Sequence, residues 1–324
     1  MEEMDDSVLL DVINKALEKD FLCIPPYYIS AFDVKKIYKE VVDGKEIKHH
    51  VTSRVLNHHF RAHQMACRYR VLPIFEDIWR VIDVGTISIF KNNVLASYLT
   101  LMPVVEAISK KWYDEEVKYK KGKFVVKNFL DSKASEFIKY FGTVKAPENS
   151  WFKWKQANAK FVSNVIKNAL FLDTDNGRKK VNYDFNRNEA LHYLTHIKGS
   201  FKSVFGKHLG NICRLLLLID LIADMYFWLH SDEYMNNPIY KGTDIADFPF
   251  SSTYNSKLEE AYLAFYNSCF RYGLEHDHIN VFNGILSKKD ISDDEIKSVV
   301  ESSKHMNTEL DLMKDFVKIA KEFK

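Results

Sequence analysis

The chain has 324 residues, of which 46% are hydrophobic and 28% charged, a balance typical of a folded protein with one large or two modest domains. Glycine and proline number only 11 and 7, which argues against a loop-rich all-β fold. The net charge of +2 hides a basic middle, because residues 107–214 carry 22 Lys and Arg against 10 Asp and Glu. That excess is typical of a region that handles a polyanion, although solvated lysines on helices give the same count.

Apolar residues recur at helical spacing along most of the chain, and this period predicts an all-α fold. Connections rich in polar residues are predicted at 118–126, 173–184 and 235–254, the first of them lysine-rich and compatible with a small hairpin. Pro103 lies inside one helical pattern and is expected to kink it. The predicted helices are 8–18, 31–42, 53–65, 71–82, 93–112, 132–141, 154–172, 209–229, 256–272 and about 293–323.

The most apolar run, residues 215–229, contains Asp220 and Asp224 and follows Arg214. It falls short of the roughly 18–20 uncharged residues that a membrane span needs, so we expect a buried helix. The first residues are acidic where a secretory signal would be basic. Four dispersed cysteines with no CxxC spacing argue against a disulfide framework or a cysteine zinc site. These features predict a cytoplasmic protein.

One short stretch combines residues that can cleave RNA without a metal ion. Residues 186–192 read NRNEALH, so that Arg187 is followed by the amide of Asn188 and, five positions on, by His192. An imidazole moves protons, and a guanidinium stabilises the negative charge that builds on a phosphorus centre.

The spacing of Arg187 and His192 is not sufficient by itself. Five residues turn a helix by about 500°, which leaves the two side chains roughly 140° apart around the axis. Either Arg187 sits at the frayed helix start, or a second copy of the chain completes the site across a two-fold axis, and both can hold together. The alternative is that Arg187 pairs with a carboxylate such as Glu106 while His192 packs as a polar core residue. The same spacing occurs without the amide at Arg54…His59 and Arg271…His276.

Three segments together resemble the HEPN superfamily. Residues 186–192 are similar to its signature, an Arg, a polar residue, three variable residues and a His at the start of a late helix. Residues 101–108, LMPVVEAI, resemble the "LLPxxEgi" helix of one HEPN branch, and residues 211–220, NICRLLLLID, resemble the final leucine-rich helix of that branch. The resemblance covers roughly residues 70–230. Tyr193 departs from the glycine usual in the branch, and Leu194 replaces the tyrosine of relatives that a partner nucleotidyltransferase modifies, so that variant is not predicted.

The resemblance implies a small helical bundle that forms a homodimer and cleaves single-stranded RNA without metal or cofactor. It divides the chain into an N-terminal helical extension (1–69), a HEPN-like bundle (70–235) and a C-terminal helical region (236–324). Carried onto this sequence, it implies that His192 acts on the 2′-hydroxyl or the leaving oxygen, that Arg187 binds the scissile phosphate, and that Asn188 supports them. Glu106 either orients Arg187 or is structural. A role as a toxin or anti-phage effector, with a regulatory or antitoxin partner, follows from the family alone.

The basic middle supplies candidates for holding an RNA backbone without reading its sequence. They lie in the connection before the motif and just upstream of it: Lys118, Lys120, Lys121, Lys123, Arg178, Lys179 and Lys180. Trp151, Phe152 and Trp154 are candidates for stacking on bases, although aromatics at helical spacing are more often core residues.

Other kinds of site find less support in the sequence. His49, His50, His58, His59 and His63 are dense, and His59 and His63 are spaced like a zinc pair, but we find no carboxylate or cysteine at a spacing that completes a site, and we expect a solvated or RNA-facing cluster. Phosphate-loop and G-x-S-x-G patterns are absent. The competing hypothesis to the ribonuclease is a non-catalytic HEPN module that binds RNA, a nucleotide or a partner protein.

Overall fold

The fold of the protein is α-helical throughout the part that the computed structural model describes, which comprises residues 6–25, 28, 31–91, 93–117, 123–143, 150–171, 185–187 and 201–230, and no β-strand occurs among these residues. Its α-helices are α1 (Asp6–Glu18), α2 (Ala31–Val42), α3 (Lys48–Val55), α4 (His58–Gln64), α5 (Trp79–Phe90), α6 (Val94–Leu101), α7 (Val104–Glu116), α8 (Val126–Thr143), α9 (Ser150–Val165) and α10 (Phe201–Leu229). The predictions for 173–184, 235–254, 256–272 and 293–323 fall outside the described residues.

Helix α10 is the centre around which the other helices pack. Its residues from 215 to 227 are all buried, and it contacts α3, α6, α7, α8 and α9. A helix that is apolar on every side is stable only when it is surrounded by other elements, so the leucine-rich sequence fits this position. The prediction of a buried helix here is confirmed. None of the helices in the described part of the chain combines the length and hydropathy that a bilayer crossing demands.

The first carboxylate of α10, Asp220, is neutralised by a buried guanidinium. Arg61 of α4 donates from Nη2 to Asp220 Oδ2 at 2.6 Å, and both side chains are almost fully buried. The hydroxyl of Tyr28 donates to the same carboxylate at 2.6 Å, and that of Tyr69 donates to its other oxygen. Burial opposes the charge on Arg61, but Asp220 outweighs it and the pKa of Arg61 is raised. The pair joins α4 to the central helix.

The second carboxylate, Asp224, lies one turn further along α10 and is paired in the same way. Lys155 of α9 donates to it at 2.5 Å, and both side chains are buried. Burial lowers the pKa of Lys155, while Asp224 opposes that shift. Buried charges persist only when they are paired, so each carboxylate of α10 requires the cationic side chain that α4 or α9 supplies.

Residues of the predicted N-terminal extension share the same core as the rest of the described chain. Helix α1 packs against α2 and α9, and apolar residues from α1 to α10 form one continuous cluster. The indole of Trp154 in α9 donates to the backbone carbonyl of Ile24. The division of the chain at residue 69 stays a prediction.

The boundaries of α1 and α2 agree with the predicted helices 8–18 and 31–42, and Gly44 follows α2 with a positive φ of 70°, a conformation natural to glycine. The predicted helix 53–65 is wrong, because two helices meet there. Asn57 has an extended backbone and accepts a hydrogen bond from Phe60 N at 2.9 Å, so it caps the start of α4 and separates it from α3.

The predicted helical hairpin 71–82 and 93–112 corresponds to α5 packed against α6, but the bounds of these helices differ from the prediction. Pro73 opens a 3₁₀ turn, and the helix of this region begins only at Trp79. Pro103 separates α6 from α7, which confirms the predicted interruption. Gly85 lies where α5 meets α6, and a Cβ on it would come within 2.7 Å of the Leu101 side chain. The absence of a side chain there allows the two helices to approach closely.

Candidate functional site

The two residues directly before the motif arginine, Phe185 and Asn186, are buried in the core. Phe185 is 2% exposed, and the guanidinium of Arg214 lies 5.9 Å from its ring centroid. Asn186 is 1% exposed and donates from Nδ2 to the Ala169 carbonyl at 2.9 Å. Ala169 belongs to the π-helical turn Ile166–Leu170 that ends α9, where carbonyls lack helical partners. The chain therefore leaves the core at a defined point just before Arg187.

Arg187 projects from this anchored point toward α7 and meets Glu106. Its Nη2 lies 2.8 Å from Glu106 Oε2, and the side chains are 37% and 38% exposed. Arg187 has a helical backbone conformation. The guanidinium is therefore held by a carboxylate and remains accessible from solvent.

The local sequence of α7 explains why Glu106 stands at this position. Pro103 precedes the helix, so Glu106 lies in its first turn, where an acidic side chain interacts favourably with the helix dipole. Val104 and Val105 are buried on the side that faces the core. Glu106 points away from the side of α7 that these valines bury, so its carboxylate is half-exposed on the surface that Arg187 reaches.

Most of the other predicted site residues fall outside the described part of the chain. Lys123 is described and is exposed. Arg187 and Glu106 are thus the two predicted catalytic residues whose relative position is known. The candidates that lie outside the described residues are Asn188, His192, Lys118, Lys120, Lys121, Arg178, Lys179 and Lys180.

The aromatic residues proposed for base stacking belong at least partly to the core. Trp154 is 8% exposed and uses its indole N–H to bind the Ile24 carbonyl. Phe152 is half-buried, with its ring centroid 5.3 Å from that of Phe141. A stacking role for Trp154 is therefore wrong, because its faces and its polar atom are occupied by the protein.

The histidine cluster is divided between two environments rather than forming one solvated group. His63 is largely buried, and burial, together with the charges of Arg68 and Arg61, lowers its pKa to about 4. His50 instead bonds Glu40 of α2, with 2.6 Å between Nε2 and Oε2. This hydrogen bond lowers the pKa of Glu40. The expectation that no carboxylate accompanies the histidines is wrong, because the turn between α2 and α3 brings Glu40 against them.

Sequence reasoning missed the structural role of Asn186, which entered only as a match to the HEPN signature. The available signal was an amide directly between an aromatic residue, Phe185, and the motif arginine, a position at which a polar side chain can fasten a loop to a helix end.

Comparison of the chain with protein families, with curated proteins and with solved structures found no match.

Proposed function

We propose that this protein is a metal-independent endoribonuclease of the HEPN type that cleaves single-stranded RNA as a homodimer. The observation that carries the proposal is the ion pair between Arg187 and Glu106. The motif arginine is anchored through Asn186, oriented by a carboxylate and more than one-third exposed. A guanidinium that binds a phosphate in a reaction needs this combination of fixed position and access.

The chemistry assigned to the motif accounts for cleavage without a metal. His192 removes the proton from a ribose 2′-hydroxyl, and the resulting oxygen attacks the adjacent phosphorus. The bond from phosphorus to the 5′-oxygen of the next nucleotide breaks, and that oxygen takes a proton from water. The products are a 2′,3′-cyclic phosphate and a 5′-hydroxyl. Arg187 binds the non-bridging oxygens, where negative charge increases in the transition state. Glu106 is a positioning residue, because it touches Arg187 and not the reacting atoms.

The low energetic value of the Arg187–Glu106 contact makes it suitable for mutation. Ion pairs this exposed contribute about 0–1 kcal/mol to stability, so loss of either partner leaves the fold intact. The variants Arg187→Ala and Glu106→Gln therefore test activity rather than folding. Arg54→Ala is the matched control, since Arg54 is an exposed arginine with a histidine at the same spacing and lies 3.9 Å from its own carboxylate partner, Asp33.

The decisive experiment incubates the purified full chain with end-labelled single-stranded RNA in the presence of EDTA. We expect cleavage by the wild type and by Arg54→Ala, and a loss of about 10²–10³-fold for Arg187→Ala. His192→Ala should lose about 10²–10⁴-fold. A substrate with one 2′-deoxynucleotide at the cleaved position should resist cleavage, because it lacks the attacking oxygen. RNA that is retained but left intact by the wild type would favour the non-catalytic module instead.

Glu106→Gln separates positioning from structure. The amide keeps the size of the side chain but removes the charge that holds Arg187, and misplacement of a catalytic group lowers the rate by up to about 100-fold. We expect kcat to fall more than KM rises, since the orientation of Arg187 matters most in the transition state. Glu76→Gln is the control. It removes an exposed carboxylate that lies 3.1 Å from Lys111, a residue of α7 like Glu106.

Mixing two inactive variants tests whether the site is shared between subunits. If Arg187 of one protomer acts with His192 of its partner, each heterodimer of Arg187→Ala and His192→Ala contains one complete site. Random exchange then restores about one-quarter of the wild-type activity. If both residues act within one chain, mixing restores no activity.

The regulatory or antitoxin partner that the family suggests is a separate proposal, which co-purification with the native protein tests.

A further inference from the structure

Three potential metal ligands converge where α2 is followed by α3. Glu40 lies near the end of α2, and His49 and His50 lie in the first turn of α3. His50 Nε2 is 2.6 Å from Glu40 Oε2, and the rings of His49 and His50 have centroids 3.9 Å apart. One nitrogen or oxygen from each residue can be chosen so that all three lie within 4.8 Å of one another.

The types of ligand select a class of metal. Two imidazoles and one carboxylate form the ligand set of open zinc sites, in which water takes the remaining position. Imidazole nitrogens favour zinc and its transition-metal neighbours, whereas magnesium and calcium prefer oxygen ligands alone. Donor atoms around a tetrahedral zinc ion lie about 3.4 Å apart, as follows from bond lengths of about 2.0–2.1 Å. A bound ion would replace the proton shared by His50 Nε2 and Glu40 Oε2, so these two atoms must move apart from 2.6 Å. His49, whose side chain is exposed, must turn toward them.

Two nearby features oppose a bound cation. Lys36 lies one helical turn before Glu40 on α2, and its positive charge lowers the pKa of Glu40. The same charge would repel a metal ion bound to Glu40. The start of α3 presents the positive end of a helix dipole. Both features repel a positive ion, so they lower the affinity of the site for a metal. Removal of the Lys36 charge should therefore raise that affinity.

We propose that Glu40, His49 and His50 form a binding site for a divalent transition metal of the zinc class, which fastens α2 to α3. The site shares no residue with the Arg187–Glu106 pair. It does not depend on the proposed ribonuclease function, because cleavage is expected to persist in EDTA whether or not this site is filled.

The test titrates Zn²⁺ into the full-length protein after removal of metals, in competition with a chromophoric chelator. The reference is a variant that lacks all three ligands, so that binding by histidines elsewhere in the chain is subtracted. We expect one additional equivalent in the wild type. His49→Ala, His50→Ala and Glu40→Gln should each weaken its binding by at least about tenfold. Glu46→Gln is the matched control, because Glu46 is an exposed carboxylate beside the site whose partner is Lys48.

Two further measurements sharpen the assignment. Co²⁺ in place of Zn²⁺ should give visible ligand-field absorption that changes in His49→Ala and stays unchanged in Glu46→Gln. Lys36→Gln should tighten Zn²⁺ binding, because it removes a positive charge from beside the ion. Mg²⁺ should not compete with Zn²⁺.

Three results would overturn the proposal. The first is the absence of saturable Zn²⁺ binding below about 1 mM, which leaves only the hydrogen bond between His50 and Glu40. The second is binding that His49→Ala and Glu40→Gln leave unchanged, which places the ion elsewhere. The third is a Zn²⁺-dependent rise in melting temperature that is equal in the wild type and in the variant without the three ligands.

Discussion

Removal of the Asp220 carboxylate should destabilise the protein more than almost any other single change to a polar side chain. The buried carboxylate accepts hydrogen bonds from Arg61 and from the hydroxyls of Tyr28 and Tyr69. In Asp220→Ala the guanidinium of Arg61 loses its counter-charge in a site from which water is excluded, since Arg61 is 2% exposed. In Asp220→Asn the shape of the side chain is kept, but the charge is lost and one of the two acceptor oxygens becomes an amide donor.

The expected magnitude follows from the burial of both partners. Loss of one member of a buried ion pair reduces the free energy of unfolding by about 3–5 kcal/mol, because the remaining charge is uncompensated. In Asp220→Ala each tyrosine hydroxyl left without an acceptor adds about 1–3 kcal/mol unless water reaches it. A domain is stable by only about 5–15 kcal/mol, so Asp220→Ala should be close to unfolding while Asp220→Asn remains measurable.

Urea denaturation followed by far-ultraviolet circular dichroism measures these differences. The double variant Arg61→Met/Asp220→Leu should be more stable than Asp220→Ala by about 3–5 kcal/mol, since no buried charge remains uncompensated. The cost of the two tyrosine hydroxyls that have lost the carboxylate remains in the double variant. Glu76→Gln is the control, because that exposed carboxylate should contribute no more than about 1 kcal/mol. If Asp220→Asn lost less than about 1 kcal/mol, or if the double variant were less stable than both single ones, the account of this pair would be wrong.

Three further changes test the packing and the ionisation of the described core. Gly85→Ala should reduce the free energy of unfolding by about 1–3 kcal/mol in urea titrations, because the new methyl group collides with Leu101. Burial raises the pKa of Cys23 and raises that of Cys213 to about 12, so thiol reagents followed by peptide mapping should label these two only after denaturation. His63 has a folded pKa of about 4, so the unfolded chain binds its proton first as the pH falls below the ordinary value near 6.5. Stability should therefore drop by about 2 kcal/mol from pH 7 to pH 5, and His63→Asn should remove that part of the pH dependence.

The helices that the sequence predicted well are those whose apolar stripe determines their limits. The predicted 31–42 has the bounds of α2, because its apolar period ends at a turn closed by Gly44. The predicted 53–65 ran through a break, since a single hydrogen bond to the Asn57 side chain decides whether one helix or two form. The start of the helix at Trp79 depends on the 3₁₀ turn at Pro73, which the apolar period does not reveal.

The contacts of the candidate sites were harder to predict because they join distant parts of the chain. The sequence named Glu106 as a possible partner of Arg187 but left open whether the contact orients the arginine or only stabilises the fold. It did not predict that Arg61 pairs with Asp220, since 159 positions separate them and any carboxylate of the chain was an equal candidate. Glu40 escaped notice beside the histidines for a related reason, because its approach depends on the angle between α2 and α3.

The exposure of the Arg187–Glu106 pair bears on whether the contact orients the arginine or only stabilises the fold. A structural role would favour burial, as for Arg61 and Asp220, where 1% or less of either side chain is exposed and loss of a partner is severe. Arg187 is 37% exposed, so the pair adds little to stability, yet it restricts a long side chain that would otherwise sample many rotamers. That restriction has little value for the fold but considerable value for a group that must meet a phosphate in one orientation. If Glu106→Gln left both stability and RNA cleavage unchanged, neither role would hold.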